Sequence, residues 1–196
     1  MRPHFTLTVV ASANGFIARH PEDAPHLWAS PEEQALFFAD VEAADWGVMG
    51  RRTHEAADRP DRRRIVFSSA GGGWKRPAQL WVDPADLTPA DLAALVAKVR
   101  PLERGIVLGG THVHDWFLDR GAIDRVHLTV EPVRFGGGLP IITGQTERDP
   151  VAAFRAAGFA PVEERALNAG GTRFLVLEPG RGGGQDDPAP AGGDDP

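Results

Sequence analysis

The chain contains no cysteine. That absence excludes a disulfide scaffold, a thiolate metal site and a cysteine nucleophile, and it suits a reducing cytosol. Long apolar runs are also missing, since no stretch approaches the roughly 20 residues that span a bilayer. The N-terminal MRPHFTLTVVASANGFIARH reads as a strand rather than a signal peptide, because Phe5, Leu7 and Val9 alternate and polar residues interrupt the run. Excess positive charge is lacking too: the formal net charge is −6, which argues against a nucleic-acid surface. Several catalytic signatures are absent. There is no G-x-G-x-x-G fingerprint, no Walker A loop and no G-x-S-x-G elbow for a serine hydrolase.

What is present suits one soluble domain. The chain has 196 residues, 42% of them hydrophobic and 24% charged, enough to bury a core without staples. Residues 1–179 read as that domain. The remainder, GRGGGQDDPAPAGGDDP from Gly180, is nearly all Gly, Pro, Asp and Ala, and reads as a disordered tail because it has too little apolar surface to offset its ordering entropy. Asp186, Asp187, Asp194 and Asp195 against Arg181 place −3 of the net charge there, so the body is only mildly acidic.

Strand-like runs fall at Phe5–Val10, Trp46–Met49, Arg64–Phe67, Gln79–Val82, Gly105–Leu108, Arg125–Val130 and Thr172–Leu177. Helical stretches lie between them at Pro31–Ala44, from Arg51, at Pro89–Val99 and at His112–Arg120. Ser30 is placed to cap the first helix, with Pro31 in its first turn and Glu33 three residues after the cap. Buried runs such as WGVMG and RIVFSS suit central parallel strands, and NAGG joins VEERAL to TRFLVL as a hairpin. The expectation is an α/β fold with a mostly parallel central sheet and antiparallel strands at its C-terminal end.

Ligands in open α/β sheets bind beyond the carboxyl ends of strands. Three such junctions carry suitable chemistry. In VMGRRTHE a strand ends in Gly50, and Arg51, Arg52 and Thr53 open a helix. In IVFSS two hydroxyls, Ser68 and Ser69, end a strand and suit a ribose or its phosphate. In VLGGTHVHDWFL a strand breaks at Gly109 and Gly110 before a helix begins near Thr111. Free N–H groups at a helix start and guanidinium forks suit an anion. A second Gly-Gly-Thr at 170–172 lies between two strands and needs only a hairpin's positive-φ turn.

These three segments, in this order and at this spacing, resemble the cofactor segments of the dihydrofolate reductase fold, a three-layer α/β architecture. WASPEEQALF (28–37) resembles that superfamily's Trp-x-x-Pro-x-acid with an aromatic four residues after the acid, one helical turn away. ASANGFIA (11–18) and EPVRFGGGLPI (131–141) resemble the reductase domain of bacterial riboflavin-biosynthesis deaminase/reductases. The deaminase half of those proteins has no counterpart, since neither His-x-Glu nor Pro-Cys-x-x-Cys occurs.

The resemblance implies an NADPH-dependent reductase of a small pyrimidine or pteridine-type substrate, cytoplasmic and homodimeric. Gly50, Arg51, Arg52 and Thr53 would hold the pyrophosphate, and Ser68 and Ser69 the adenosine 2′-phosphate end. Gly109, Gly110, Thr111, His112 and Val113 would form a second pyrophosphate cradle, with a cis Gly109–Gly110 bond. Glu33 would protonate the substrate, in a cleft walled by Trp28 and Phe37 and supported by Thr129. Arg62 matches the arginine that holds a folate's anionic tail. Asn14 stands where the riboflavin reductases carry aspartate, and His114 where dihydrofolate reductases carry tyrosine beside the nicotinamide. The phosphoribosylamino-pyrimidine of riboflavin synthesis leads as substrate. The alternatives are a folate or other pteridine, and a nucleotide-binding module without turnover.

Other readings compete residue by residue. Glu33 is also placed to be the capping-box acid of Ser30. His112 and His114 stand two apart and so on different helix faces, against a shared metal. DRPDRRR (58–64) reads as a solvated, partly self-paired loop. Trp74, Trp81 and Trp116 read as packing residues.

Overall fold

A computed structural model describes residues 2–180. The expected tail, apart from Gly180, lies outside the described residues. In chain order the elements are β1 (His4–Ser12), β2 (Phe16–Ala18), a 3-10 turn at Pro25–Leu27, α1 (Pro31–Ala43), β3 (Trp46–Gly50), α2 (Arg51–Ala56), β4 (Arg64–Phe67), β5 (Gly73–Arg76), β6 (Gln79–Val82), α3 (Pro89–Val96), β7 (Arg104–Val107), α4 (Thr111–Asp119), β8 (Arg125–Glu131), β9 (Leu139–Pro140), α5 (Pro150–Ala156), β10 (Phe159–Ala166) and β11 (Arg173–Pro179).

One nine-stranded sheet runs β10-β11-β8-β1-β7-β3-β4-β6-β5. The run from β8 to β6 is parallel, through the β8/β1, β1/β7, β7/β3, β3/β4 and β4/β6 pairings. Their C-terminal ends therefore share one edge, which gathers the junctions after β3, β4 and β7. The expected hairpin forms β10 and β11, antiparallel to each other, with β11 antiparallel to β8.

Local chemistry accounts for most boundaries. The Ser30 hydroxyl caps α1 by accepting the Glu33 N–H at 3.3 Å, and Thr88 with Asp91 forms a reciprocal capping box on α3. Strands β3 and β4 are buried on both faces, and apolar apart from Arg64, because helices or loops cover both sides. In α4, Val113 and Phe117 lie one turn apart and both are buried. Phe117 packs at 4.7 Å from the ring of Phe5, inside a core that includes Leu7, Val48, Ile65, Leu128 and Leu175. Each such burial contributes about 1.5–3 kcal/mol.

The other side of β1 and β8 is polar. Thr8 and His127 both bond Asp40 of α1, at 3.0 and 2.7 Å, and Thr129 and Glu131 follow His127 at period two. Helix α1 buries only Glu33, so it is held to the sheet by polar contacts more than by an apolar stripe.

Four elements depart from the expectation. Strand β5 is an antiparallel edge beside β6, so antiparallel pairing occurs at both ends of the sheet. Its sequence GWKR has no alternation, and pairing alone makes it a strand. Strands β2 and β9 form a separate two-stranded sheet, too short to show a period. Helix α5 is capped by the Asp149 carboxylate accepting from Ala152 N–H, with Pro150 at its first position.

Candidate functional site

A cleft of about 1000 Å³ opens at the C-terminal edge of the parallel strands. Gly50, Arg51, Arg52, Thr53, Ser68, Ser69, Gly110, Thr111, His112 and Val113 all line it, so the three junctions face one space. Gly109 does not line it but joins two of them: its carbonyl accepts the Gly50 N–H at 2.9 Å. The Gly109–Gly110 peptide is cis.

The two glycines of this loop differ. A Cβ on Gly109, whose φ is +87°, would lie 2.8 Å from Nε2 of the buried His114. A Cβ on Gly110 would meet nothing within 4 Å and would project into open space. His114 is 1% exposed, and its Nδ1 lies 2.8 Å from the Ile141 carbonyl. A carbonyl only accepts, so Nδ1 carries the proton and Nε2 is a bare acceptor with no partner. Burial pushes this imidazole's pKa down and keeps it neutral. The Thr111 hydroxyl donates to the Pro140 carbonyl at 2.6 Å, which ties the start of α4 to β9.

Three cationic side chains reach the cleft, Arg51, Arg52 and Lys75, against the carboxylates of Glu55 and Asp83. Neither Ser68 nor Ser69 spends its hydroxyl on another protein group among the described residues. Lys75 was not singled out from the sequence; its Nζ sits 3.3 Å from the centre of the Trp81 ring. Trp81 and Trp116 are buried as expected, yet both also wall the cleft, which corrects their reading as packing residues only. Trp74 is 44% exposed and packs edge-on against the buried Trp46, with 6.1 Å between ring centres. Ile17, Pro21 and Leu139 also line the cleft. His112 lies on the cleft and His114 beneath it, and no His/Asp/Glu cluster suited to a metal occurs among the described residues.

The chain matches the RibD C-terminal domain over residues 3–166. It belongs to that family. The sequence matches no curated protein sequence. Among solved structures, a riboflavin biosynthesis protein from Shewanella sp. PV-4 shares 18% identity at a TM-score of 0.64, covering 91% of this chain and 99% of that one. A diaminohydroxyphosphoribosylaminopyrimidine deaminase/5-amino-6-(5-phosphoribosylamino)uracil reductase from Thermotoga maritima gives 16% and 0.65, over 91% of this chain and 57% of that longer one. Dihydrofolate reductase from Enterococcus faecalis, complexed with NADP(H) and RAB-propyl, gives 16% and 0.62, over 91% and 98%. The fold of this RibD C-terminal domain is therefore dihydrofolate reductase-like.

The residues expected on the substrate side, Glu33, Asn14, Trp28, Phe37, Arg62 and Thr129, do not line the large cleft. Glu33 lies in the first turn of α1, 5% exposed, and its carboxylate accepts no hydrogen bond among the described residues. Burial, then the charges of Glu131 and Asp40, raise its pKa to about 7. It is not the capping-box acid. The Ser30 N–H that a capping box would offer it donates instead to Glu131 Oε1 at 2.7 Å. Phe37 is half-buried one turn along α1. Thr129 is buried on β8, but no hydrogen bond joins it to Glu33 among the described residues.

Trp28 packs edge-on against Phe135 at 5.1 Å between ring centres, and its buried indole N–H has no acceptor among the described residues. Asn14 has a different part from the one expected. Its Oδ1 accepts from the Ser12 hydroxyl and the Phe135 N–H, both at 3.0 Å, and its Nδ2 donates to the Phe135 carbonyl at 2.7 Å. It thus pins the segment after β8 to the turn after β1. Arg62 is engaged by Glu42 at 3.7 Å and Asp61 at 4.0 Å. Its neighbour Arg64 is 7% exposed and meets His54 Nδ1 at 3.0 Å, so the basic run is not uniformly solvated.

Proposed function

We propose that this RibD C-terminal domain is an NADPH-dependent reductase of a heterocyclic substrate, most like 5-amino-6-(5-phosphoribosylamino)uracil. The observation that carries it is the convergence of three strand-end junctions on one cleft large enough for a dinucleotide, with a glycine cradle that a Cβ would fill. The donor set fits the group. Arg51 and Arg52 supply forked cations for phosphate, the start of α4 offers the N–H groups of Thr111 and His112, and Ser68 and Ser69 carry free hydroxyls.

Bound there, NADPH supplies a hydride to a C=N or C=O carbon. The chain's own contribution is alignment and proton supply. Glu33 stands at the same sheet edge, tied through Ser30 to the end of β8. With a pKa near 7 its carboxyl retains a proton to release at neutral pH. The match to the RibD C-terminal domain supports the pyrimidine over a folate.

The test is NADPH oxidation followed with the phosphoribosylamino-uracil, its dephosphorylated form and dihydrofolate. Turnover is expected with the first and not with dihydrofolate. Silence across the set, with NADPH binding intact, would make the protein a nucleotide-binding module.

A further inference from the structure

Glu131, at the end of β8, is 3% exposed and uses both carboxylate oxygens. Oε1 accepts the Ser30 N–H and Oε2 accepts the Thr172 hydroxyl, each at 2.7 Å. Thr172 is the threonine of the second Gly-Gly-Thr, which therefore does more than turn a hairpin. Asn168 completes the link. Its Oδ1 accepts from Gly170 N–H and Thr172 N–H at 2.9 and 3.2 Å, and its Nδ2 reaches Glu32 of α1 at 3.1 Å. The β10–β11 hairpin and the end of β8 thus hold the start of α1 at two points just ahead of Glu33, at Ser30 through Glu131 and at Glu32 through Asn168.

The electrostatic consequence follows from what each neighbour of Glu33 touches. Asp40, further along α1, faces the His127 ring at 2.7 Å and the Thr8 hydroxyl at 3.0 Å. Glu131 has only hydroxyl and amide donors, and no Lys, Arg or His pairs with it among the described residues. A like charge in a buried setting favours the neutral form of its neighbour.

We infer that Glu131 is a positioning residue for Glu33: it supplies from another strand the capping contact Glu33 does not make, and so fixes the turn of α1 that carries the Glu33 carboxyl. Its functional meaning rests on the reading of Glu33 as the proton donor, but its test does not.

The full chain, labelled with 13C at glutamate carboxyls, is titrated by NMR, with the Glu33 signal assigned by its loss in Glu33→Gln. Glu131→Gln is expected to lower the Glu33 midpoint by about one pH unit. Thr172→Val leaves the Glu131 charge in place, so it is expected to lower thermal stability while the midpoint stays near that of wild type. If Glu131→Gln does not fold, Glu131→Asp serves: drawing the charge back by one methylene lowers the midpoint by about half as much. An unmoved midpoint in the folded Glu131 variant overturns the proposal. Because turnover is not the readout, that outcome leaves the reductase reading standing, and failure of the reductase reading leaves this result intact.

Discussion

The backbone N–H of Gly50 donates to the carbonyl of Gly109 at 2.9 Å, so the loop after β3 and the loop after β7 form one continuous floor. Strands β3 and β7 are neighbours in the sheet, and Gly47 and Val48 face Ile106 and Val107 in register. The pairing of the strands thereby fixes the spacing of the two loops.

Gly110→Ala tests the cradle. The new methyl meets no protein atom within 4 Å, so it should project into the cleft and weaken NADPH binding by more than about tenfold with little change in melting temperature. Gly109→Ala should do the reverse and destabilise the fold, because its Cβ would collide with His114 Nε2 at a φ of +87°. Binding by fluorescence and melting by calorimetry on both variants separate the two effects.

On the proposed reading this strand end takes the 2′-phosphate, so removing the hydroxyls of Ser68 and Ser69 together should weaken NADPH binding by more than about a hundredfold and leave NADH binding nearly unchanged. Each hydrogen bond lost to a charged group is worth about 1.5–3 kcal/mol. Equal losses for both nucleotides would move the assignment elsewhere in the cleft.

Glu33 makes stability depend on pH. Its pKa of about 7 in the fold lies above the ordinary 4.5, so the folded state favours the protonated carboxyl. That stability is fully present below 4.5 and is lost as pH rises through about 7. Glu33→Gln should therefore be more stable than wild type at about pH 8, on the order of 2 kcal/mol, with the gain fading by about pH 4. Denaturant melts at both pH values check this, and an equal effect at both would contradict it.

Asn14→Asp should lower the melting temperature. An aspartate still accepts from Ser12 and Phe135 N–H, but it loses the donor to the Phe135 carbonyl and sets an oxygen against it. Leaving that carbonyl unpaired costs about 1–3 kcal/mol. Unchanged stability would show that the segment after β8 is held by other contacts.

The gathering of the three junctions on one cleft is legible because its signals are local. Each junction is a buried strand followed at once by its polar or glycine residues, and parallel neighbours bring such junctions to one edge. The support of Glu33 was not legible. Ser30 and Glu131 are separated by 101 positions, and their contact exists only because β1, β8 and β11 adopt a particular order. Ser30 and Glu33 alone mimic a capping box, and only the position of Glu131 shows otherwise. Strand β5 was hidden because GWKR has no apolar period, while α5 carried a readable Asp149–Pro150 start. Trp81 and Trp116 show that a buried aromatic can belong to the core and also wall a site, which composition does not separate.

The central claim is that this cleft takes NADPH, and titration of NADPH fluorescence against the wild-type chain tests it most directly. Saturable binding of one nucleotide per chain is predicted, weakened by more than about tenfold in Arg51→Ala. A flat titration of the folded wild-type protein would contradict the account.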